Sequence, residues 1–267
     1  MSQTIKTVAF FGATGGCAVV TLESALVAGF QCSVLVRSGD KLKGLLAETT
    51  PTTNLRIVEG DGMDPESVRS VLVDPTTNAV VDGIVYGLGY RPNGNNPLTW
   101  KFLTPTLCED TTKLIVKTLE ELKPAVPPFA TWISTTGTDH SGDVPTLFVP
   151  FYHYSLGVPH ADKAKMEQVL YAAKEKGVIR DYLIVRPSLL TDGEATHGSV
   201  KVGFEGSKKK ELQGDLTLEK GGCGWKSVEG LAVGYIVSRK DIGAFVFEEG
   251  IVNSGEKFKG KVVRVTY

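Results

Sequence analysis

Cysteine is scarce in this chain: four, at 17, 32, 108 and 223, among 267 residues. None forms a C-x-x-C pair or stands with histidines at metal-ligand spacing, so neither a disulfide scaffold nor a zinc site is expected. Net charge is scarce as well. Against 30 acidic residues stand 29 basic ones, a formal charge of -1. No global field draws such a chain to nucleic acid or to an anionic membrane, and Lys208, Lys209 and Lys210 read as a solvated loop. Long apolar runs are missing too, none approaching the roughly 20 residues that span a bilayer. The opening MSQTIKTVAFFG has too short a core for a secretory signal and no small-residue cleavage site. These absences predict a reduced, cytoplasmic protein without metal, nucleic-acid or membrane partners.

What is present suits a globular core: 42% hydrophobic and 22% charged residues. Short β-rich runs lie at 6–12, 31–37, 54–60, 79–87, 129–137 and 181–188, alternating with helix-compatible stretches at 15–29, 39–48, 65–73, 104–122 and 161–176. That alternation predicts an α/β fold, a Rossmann-type doubly wound and mostly parallel sheet with helices on both faces. Residues 1–267 read as one nucleotide-binding domain. The glycine-rich stretch 189–225 departs from the pattern and reads as a small substrate-binding lobe inserted late in the chain. Order returns with SRKDIGAFVFEEGI as a helix and KVVRVTY as a last strand.

The stretch FFGATGGCAVV, residues 10 to 20, joins the first strand to the first helix through a turn almost without side chains. Gly12, Gly15 and Ala18 make G-x-x-G-x-x-A, with Gly16 added. Glycines there let a pyrophosphate approach the backbone and rest on a helix N-terminus. The end of the second strand tests which dinucleotide. An acid favours the free 2'-hydroxyl of NAD and a cation the 2'-phosphate of NADP. The strand ends VLVRSGDK, so Arg37 and then Lys41 point to NADP(H); Asp40 is the residue that argues the other way.

FGATGGCA, LVR, VEGDGMD, ISTTG, PHADKAKMEQVL, LIVRPSLLTDG, SRKDIGAFVFE and the terminal KVVRVTY together resemble the atypical short-chain dehydrogenases/reductases of the NAD(P)H-binding, NmrA-like type, fungal members especially. The likeness covers nearly the whole chain. It implies that Gly12, Ala13, Thr14, Gly15 and Gly16 hold the pyrophosphate, Arg37 the 2'-phosphate, and Asp61 with Gly62 the adenine. It also implies that Gly87 and Leu88 line the adenine ribose and nicotinamide side. By the same likeness Ser134 and Thr135 sit beside the nicotinamide, Lys163 bonds its ribose, and Pro187, Ser188 and Leu189 close over the carboxamide. The long helices flanking strand four pair subunits in many relatives, which allows a homodimer.

Catalytic members of the superfamily carry a tyrosine four residues before the lysine as proton donor. Here that position is Pro159. Tyr152, Tyr154 and His160 are the replacements on offer, in an aromatic stretch that directly precedes the lysine helix. Three functions stay open: an NADPH-dependent reductase of a hydrophobic carbonyl, imine, iminium or activated alkene in secondary metabolism; a non-redox cyclase or isomerase using the dinucleotide as scaffold; and an NADP(H)-sensing regulator. Tyr86, Tyr90, Trp100, Phe102, Phe148, Phe151, Tyr152 and Tyr154 favour a pocket for an apolar small molecule and hence an enzyme. The reaction would be helped by Ser134, Thr135, Tyr152 and Lys163.

Overall fold

A computed structural model describes residues 4–90, 100–139, 142, 144–196, 200–205, 213–214 and 225–267, with backbone alone at 148, 150–153 and 213–214. The chain runs β1 (Thr7–Phe11), α1 (Gly16–Val27), β2 (Gln31–Val36), α2 (Gly39–Lys43), β3 (Leu55–Glu59) and α3 (Pro65–Leu72). It continues through β4 (Gly83–Tyr86), α4 (Leu107–Leu122), β5 (Phe129–Ile133), α5 (Val149–Glu175) and β6 (Asp181–Pro187). The last third holds β7 (Leu189–Thr191), β8 (Val200–Gly203), β9 (Gln213–Gly214), β10 (Trp225–Ser227), β11 (Ile236–Ser238), α6 (Arg239–Phe245) and β12 (Lys261–Thr266). A π-helical turn, Val246–Val252, prolongs α6.

One sheet of ten strands runs in the order β3-β2-β1-β4-β5-β6-β12-β8-β10-β9, and β7 pairs with β11 in a small second sheet. From β3 to β12 every pairing is parallel, and β8 then runs antiparallel to β12. Strands 2 and 3 lie to one side of β1 and strands 4 to 6 to the other. The connections therefore diverge between β1 and β4, and a crevice opens at the carboxyl ends of those two strands.

Both sheet faces are covered, so β1 is apolar without alternation. Val8 and Phe10 face the layer under α1 and α6; Ala9 and Phe11 face the layer under α3, α4 and α5, where Trp132 stacks on Tyr86 at 5.1 Å. The described parts of 189–225 join strands to the sheets, β8, β9 and β10 extending the larger one beyond β12.

Helix α5 is longer than the expected 161–176. It begins at Val149 and carries Pro159 inside. Proline removes one backbone bond and strains the preceding turn, yet Ser155, His160, Lys163, Glu167 and Leu170 are all buried. This helical spacing runs straight through the proline, so packing against α4 and the sheet overrides the local break. The aromatic stretch is therefore the first half of the lysine helix and not a loop before it.

Candidate active site

The β1–α1 turn is shaped by how close it comes to β4. Gly12 has φ +80°, and a Cβ there would stand 2.6 Å from the Leu88 nitrogen and 2.7 Å from the Gly87 carbonyl carbon. Gly87 is under the same constraint, since its Cβ would meet that of Ala18 at 2.8 Å. Gly15 then caps α1 without a side-chain bond. The first N–H groups of a helix have no partner four residues back, so those after Gly15 are left for an outside acceptor.

Three cavities follow one another along the carboxyl ends of the strands. The first, about 270 Å³, is lined by Gly12, Thr14, Arg37, Asp61, Gly62 and Leu88 among others. The second, about 340 Å³, shares Thr14, Leu88 and Gly89 with the first and runs over Gly15 and Gly16 to Ser134 and Lys163. The third, about 350 Å³, shares Tyr90, Ser134, Lys163, Leu190 and Arg239 with the second. Its other walls include Trp100, Phe102, Leu156 and Pro159, with Thr135, His160, Pro187, Ser188 and Leu189. Shared walls make the three one groove.

Lys163 is held at the middle of this groove. Its Nζ donates to the backbone carbonyls of Leu88 and Ile133, each at 2.8 Å, and lies 5.5 Å from the Tyr86 ring centroid. An ammonium has three donors, so one is left to meet a ligand. Ser134 Oγ donates to Glu167 Oε1 at 2.6 Å. Glu167 in turn receives Arg186 Nε at 3.0 Å and Nη2 at 2.5 Å. With its hydrogen committed to a carboxylate, the Ser134 hydroxyl offers lone pairs to the groove.

A second buried carboxylate works the same way. Asp162 accepts Cys108 N at 2.7 Å and Glu109 N at 2.9 Å, closing the N-terminus of α4, where Thr106 supplies no cap. It also accepts the Tyr90 hydroxyl, and burial followed by this bond raises the phenol well above its ordinary value. Burial likewise pushes the Cys17 thiol, beside the glycine turn, up to about 12, against the pull of the nearby Arg239 charge. Cys17 stays a thiol at neutral pH and is no nucleophile.

A family model described as NAD(P)H-binding matches residues 12–217. The chain belongs to that family. "Reductase pytE" of Aspergillus terreus is 36% identical over the full length of both chains. "Oxidase pynE" of Aspergillus niger is 32% identical, covering 97% of this chain and 98% of its own. Among solved structures, a short-chain dehydrogenase/reductase from Veillonella parvula in complex with NADP superposes with a TM-score of 0.65 at 14% identity, over 99% of this chain and 95% of that one. ChuY, an anaerobilin reductase from Escherichia coli O157:H7, gives 0.61 at 17% identity over 97% and 96%. At such identities these two bear on the fold alone. The chain is thus an NAD(P)H-binding oxidoreductase on a short-chain dehydrogenase/reductase fold, and no helix among its described residues is long and apolar enough to cross a membrane.

The residues present fit the family's cofactor. The groove offers free helix N–H groups at one point, an arginine at one end and an ammonium beside an acceptor hydroxyl further along, a donor set suited to phosphates and a ribose. Every residue expected around the dinucleotide lines this groove except Ala13, which is fully buried beneath the turn. Of the three proton-donor candidates, Tyr154 is 81% exposed and lines none of the three cavities, and the Tyr152 side chain lies outside the described residues. Two groove residues, Tyr90 and Arg239, and two buried carboxylates behind the groove, Asp162 and Glu167, carry roles that sequence reasoning left unassigned. Tyr90 was visible only as one aromatic among several, and Arg239 only as part of the SRKD segment.

His160 is neither a helix start nor a surface group. It is 8% exposed in mid-helix, and burial lowers its pKa from 6.5 to about 4. The unfolded chain takes up this proton below about 6.5 and the folded chain not until about 4, so stability present above 6.5 is lost as the pH falls between them. From about pH 7 to about pH 5 the expected loss is about 2 kcal/mol from this group. Denaturant unfolding of wild type and His160→Asn at both pH values checks it: the variant should lose less, and parallel losses would contradict the assignment.

Proposed function

We propose that the chain is an NADPH-dependent reductase of a hydrophobic small molecule carrying a carbonyl, an imine or iminium, or an activated alkene. The observation that carries this reading is the continuity of the groove. A phosphate-binding turn and Arg37 occupy one end, Lys163 and Ser134 the middle, and an aromatic-walled cavity the other end. A reduced nicotinamide bound there supplies the hydride.

The chain's own residues supply position and surroundings. Lys163, anchored on two carbonyls, holds a ribose hydroxyl with its remaining donor. Ser134, its hydrogen given to Glu167, accepts from an amide N–H such as that of a carboxamide. Thr135, Pro187, Ser188 and Leu189 form the wall beside them, and Tyr90, Trp100 and Phe102 keep water from an apolar substrate. The segment 189–225 acts as the substrate lobe. Proton delivery does not come from Ser134 or Tyr90, whose hydrogens are bound to carboxylates. An acceptor already protonated or conjugated needs least from the protein.

The name of the Aspergillus terreus relative supports reduction as the direction, and that of the Aspergillus niger relative, an oxidase, the reverse. The test is a mass measurement. Incubation of the enzyme with NADPH dideuterated at C4 and the unsaturated or imine compounds of the source organism's extract should convert a neutral precursor into a product that has gained one deuterium from the cofactor and one proton from solvent, about three mass units in all. An isomeric product of unchanged mass would make the chain a non-redox enzyme. Tight NADPH binding with no extract component changed would support the sensing role.

A further inference from the structure

Arg239 opens α6 more than two hundred residues after the glycine turn, yet its side chain lies on that turn. A Cβ built on Gly16 would stand 2.3 Å from Arg239 Cδ and 3.3 Å from Nε. The absent side chain of Gly16 is therefore the space that the arginine stem fills. The same arginine lines both the central cavity and the apolar one. Its backbone is fixed from behind. Ser238 caps α6 by accepting from Asp241 N at 3.0 Å, and the buried Asp241 accepts Ser238 Oγ at 2.8 Å and Thr196 N at 3.1 Å.

A cation in this place is electrostatically out of balance. The N-terminus of α1 carries roughly half a positive charge, and the Lys163 ammonium lines the same cavity. Arg239 adds a third positive group to one wall. Its ion-pair partner is Asp192, at 2.8 Å from Nη1, but that carboxylate is 90% exposed while the arginine is 32% exposed. A solvated pair of this kind holds its partners weakly. Three converging positive groups, one of them on a loose tether, are complementary to a compact anion of more than one charge.

We propose that Arg239 binds the pyrophosphate of the dinucleotide, its guanidinium exchanging Asp192 for phosphate oxygens; this rests on the NADPH reading above. The planar fork suits two oxygens at once. Asp192 is then a competitor, and its removal has the opposite sign to removal of the arginine. Because Arg239 is also a wall of the apolar cavity, cofactor binding finishes the substrate site.

Calorimetric titration of wild type, Arg239→Ala, Asp192→Asn and the double variant tests this, with NADPH, 2'-phospho-ADP-ribose and 2'-AMP as ligands. Arg239→Ala should weaken the two pyrophosphate-bearing ligands about 10-fold to 100-fold, the range for a charged hydrogen bond, and leave 2'-AMP unchanged. Asp192→Asn should tighten the same two several-fold, and the double variant should behave as Arg239→Ala. Arg239→Lys should retain part of the affinity, which separates lost charge from a misfolded turn. Unchanged NADPH affinity in Arg239→Ala, equal weakening of 2'-AMP, or weakening in Asp192→Asn would overturn the proposal. If wild type binds none of the three ligands, the dinucleotide reading fails, and the role of Arg239 with it.

Discussion

Glu167→Ala is expected to lower the unfolding free energy by about 3 to 5 kcal/mol, the cost of breaking a buried ion pair by removing one member. Glu167 is 2% exposed and its partner Arg186 is 5% exposed at the side chain. Both carboxylate oxygens meet the guanidinium, and one also receives Ser134. Without the carboxylate, Arg186 keeps Asp139, which is 42% exposed and shared with Arg264. A largely dry guanidinium would then be left with a half-solvated counter-ion. Denaturant unfolding reads the loss as a lower midpoint with unchanged slope. A loss under about 1 kcal/mol would place this cluster with ordinary surface pairs. Folded Glu167→Gln should also show a changed Ser134, because an amide can donate where the carboxylate only accepts.

Arg37→Ala should raise the Kd for NADPH by about 10-fold to 100-fold and leave that for NADH nearly unchanged. Arg37 stands exposed at the end of β2 and lines the cavity that also holds Asp61 and Gly62. Asp40, the residue whose charge would favour a free 2'-hydroxyl, is 97% exposed at its side chain and lies 3.7 Å from Lys43. It lines none of the three cavities of the groove. The acid at the end of β3, Glu59, is engaged by the Gly39 amide at 2.6 Å. The acid that does share the cavity with Arg37 is Asp61, which accepts the Met63 backbone N–H at 2.8 Å. Nicotinamide fluorescence titrations of both proteins with both dinucleotides decide it. Equal weakening for NADPH and NADH would remove the 2'-phosphate from Arg37.

How much of this was legible beforehand follows from the range of each interaction. The six core strands lie within the expected runs, most plainly β1, β4 and β5, which are buried almost throughout and read as nearly continuous apolar words, local and self-contained. The glycine turn was legible for a related reason: what it must accommodate, β4 on one side and a helix start on the other, allows no side chain. Helix α5 was misread because Pro159 speaks louder locally than the buried positions 155, 160, 163, 167 and 170 that hold the helix through it. Asp162 and Glu167 look like ordinary helix-surface acids in a string of charged residues. Only the approach of α4 to one and of Arg186 to the other makes them buried. Arg239 is the extreme case, since its contact with Gly16 joins the two ends of the chain and has no local sign at all.

The central claim is that one groove takes one NADPH along its length, with the 2'-phosphate at Arg37 and the nicotinamide at Lys163. Titration of the purified wild-type protein with NADPH and, in parallel, with NADH, followed by nicotinamide fluorescence, tests it most directly. The account predicts saturable binding of one NADPH per chain, at least about tenfold tighter than NADH. Absence of saturable binding, or equal affinity for the two dinucleotides, would contradict it.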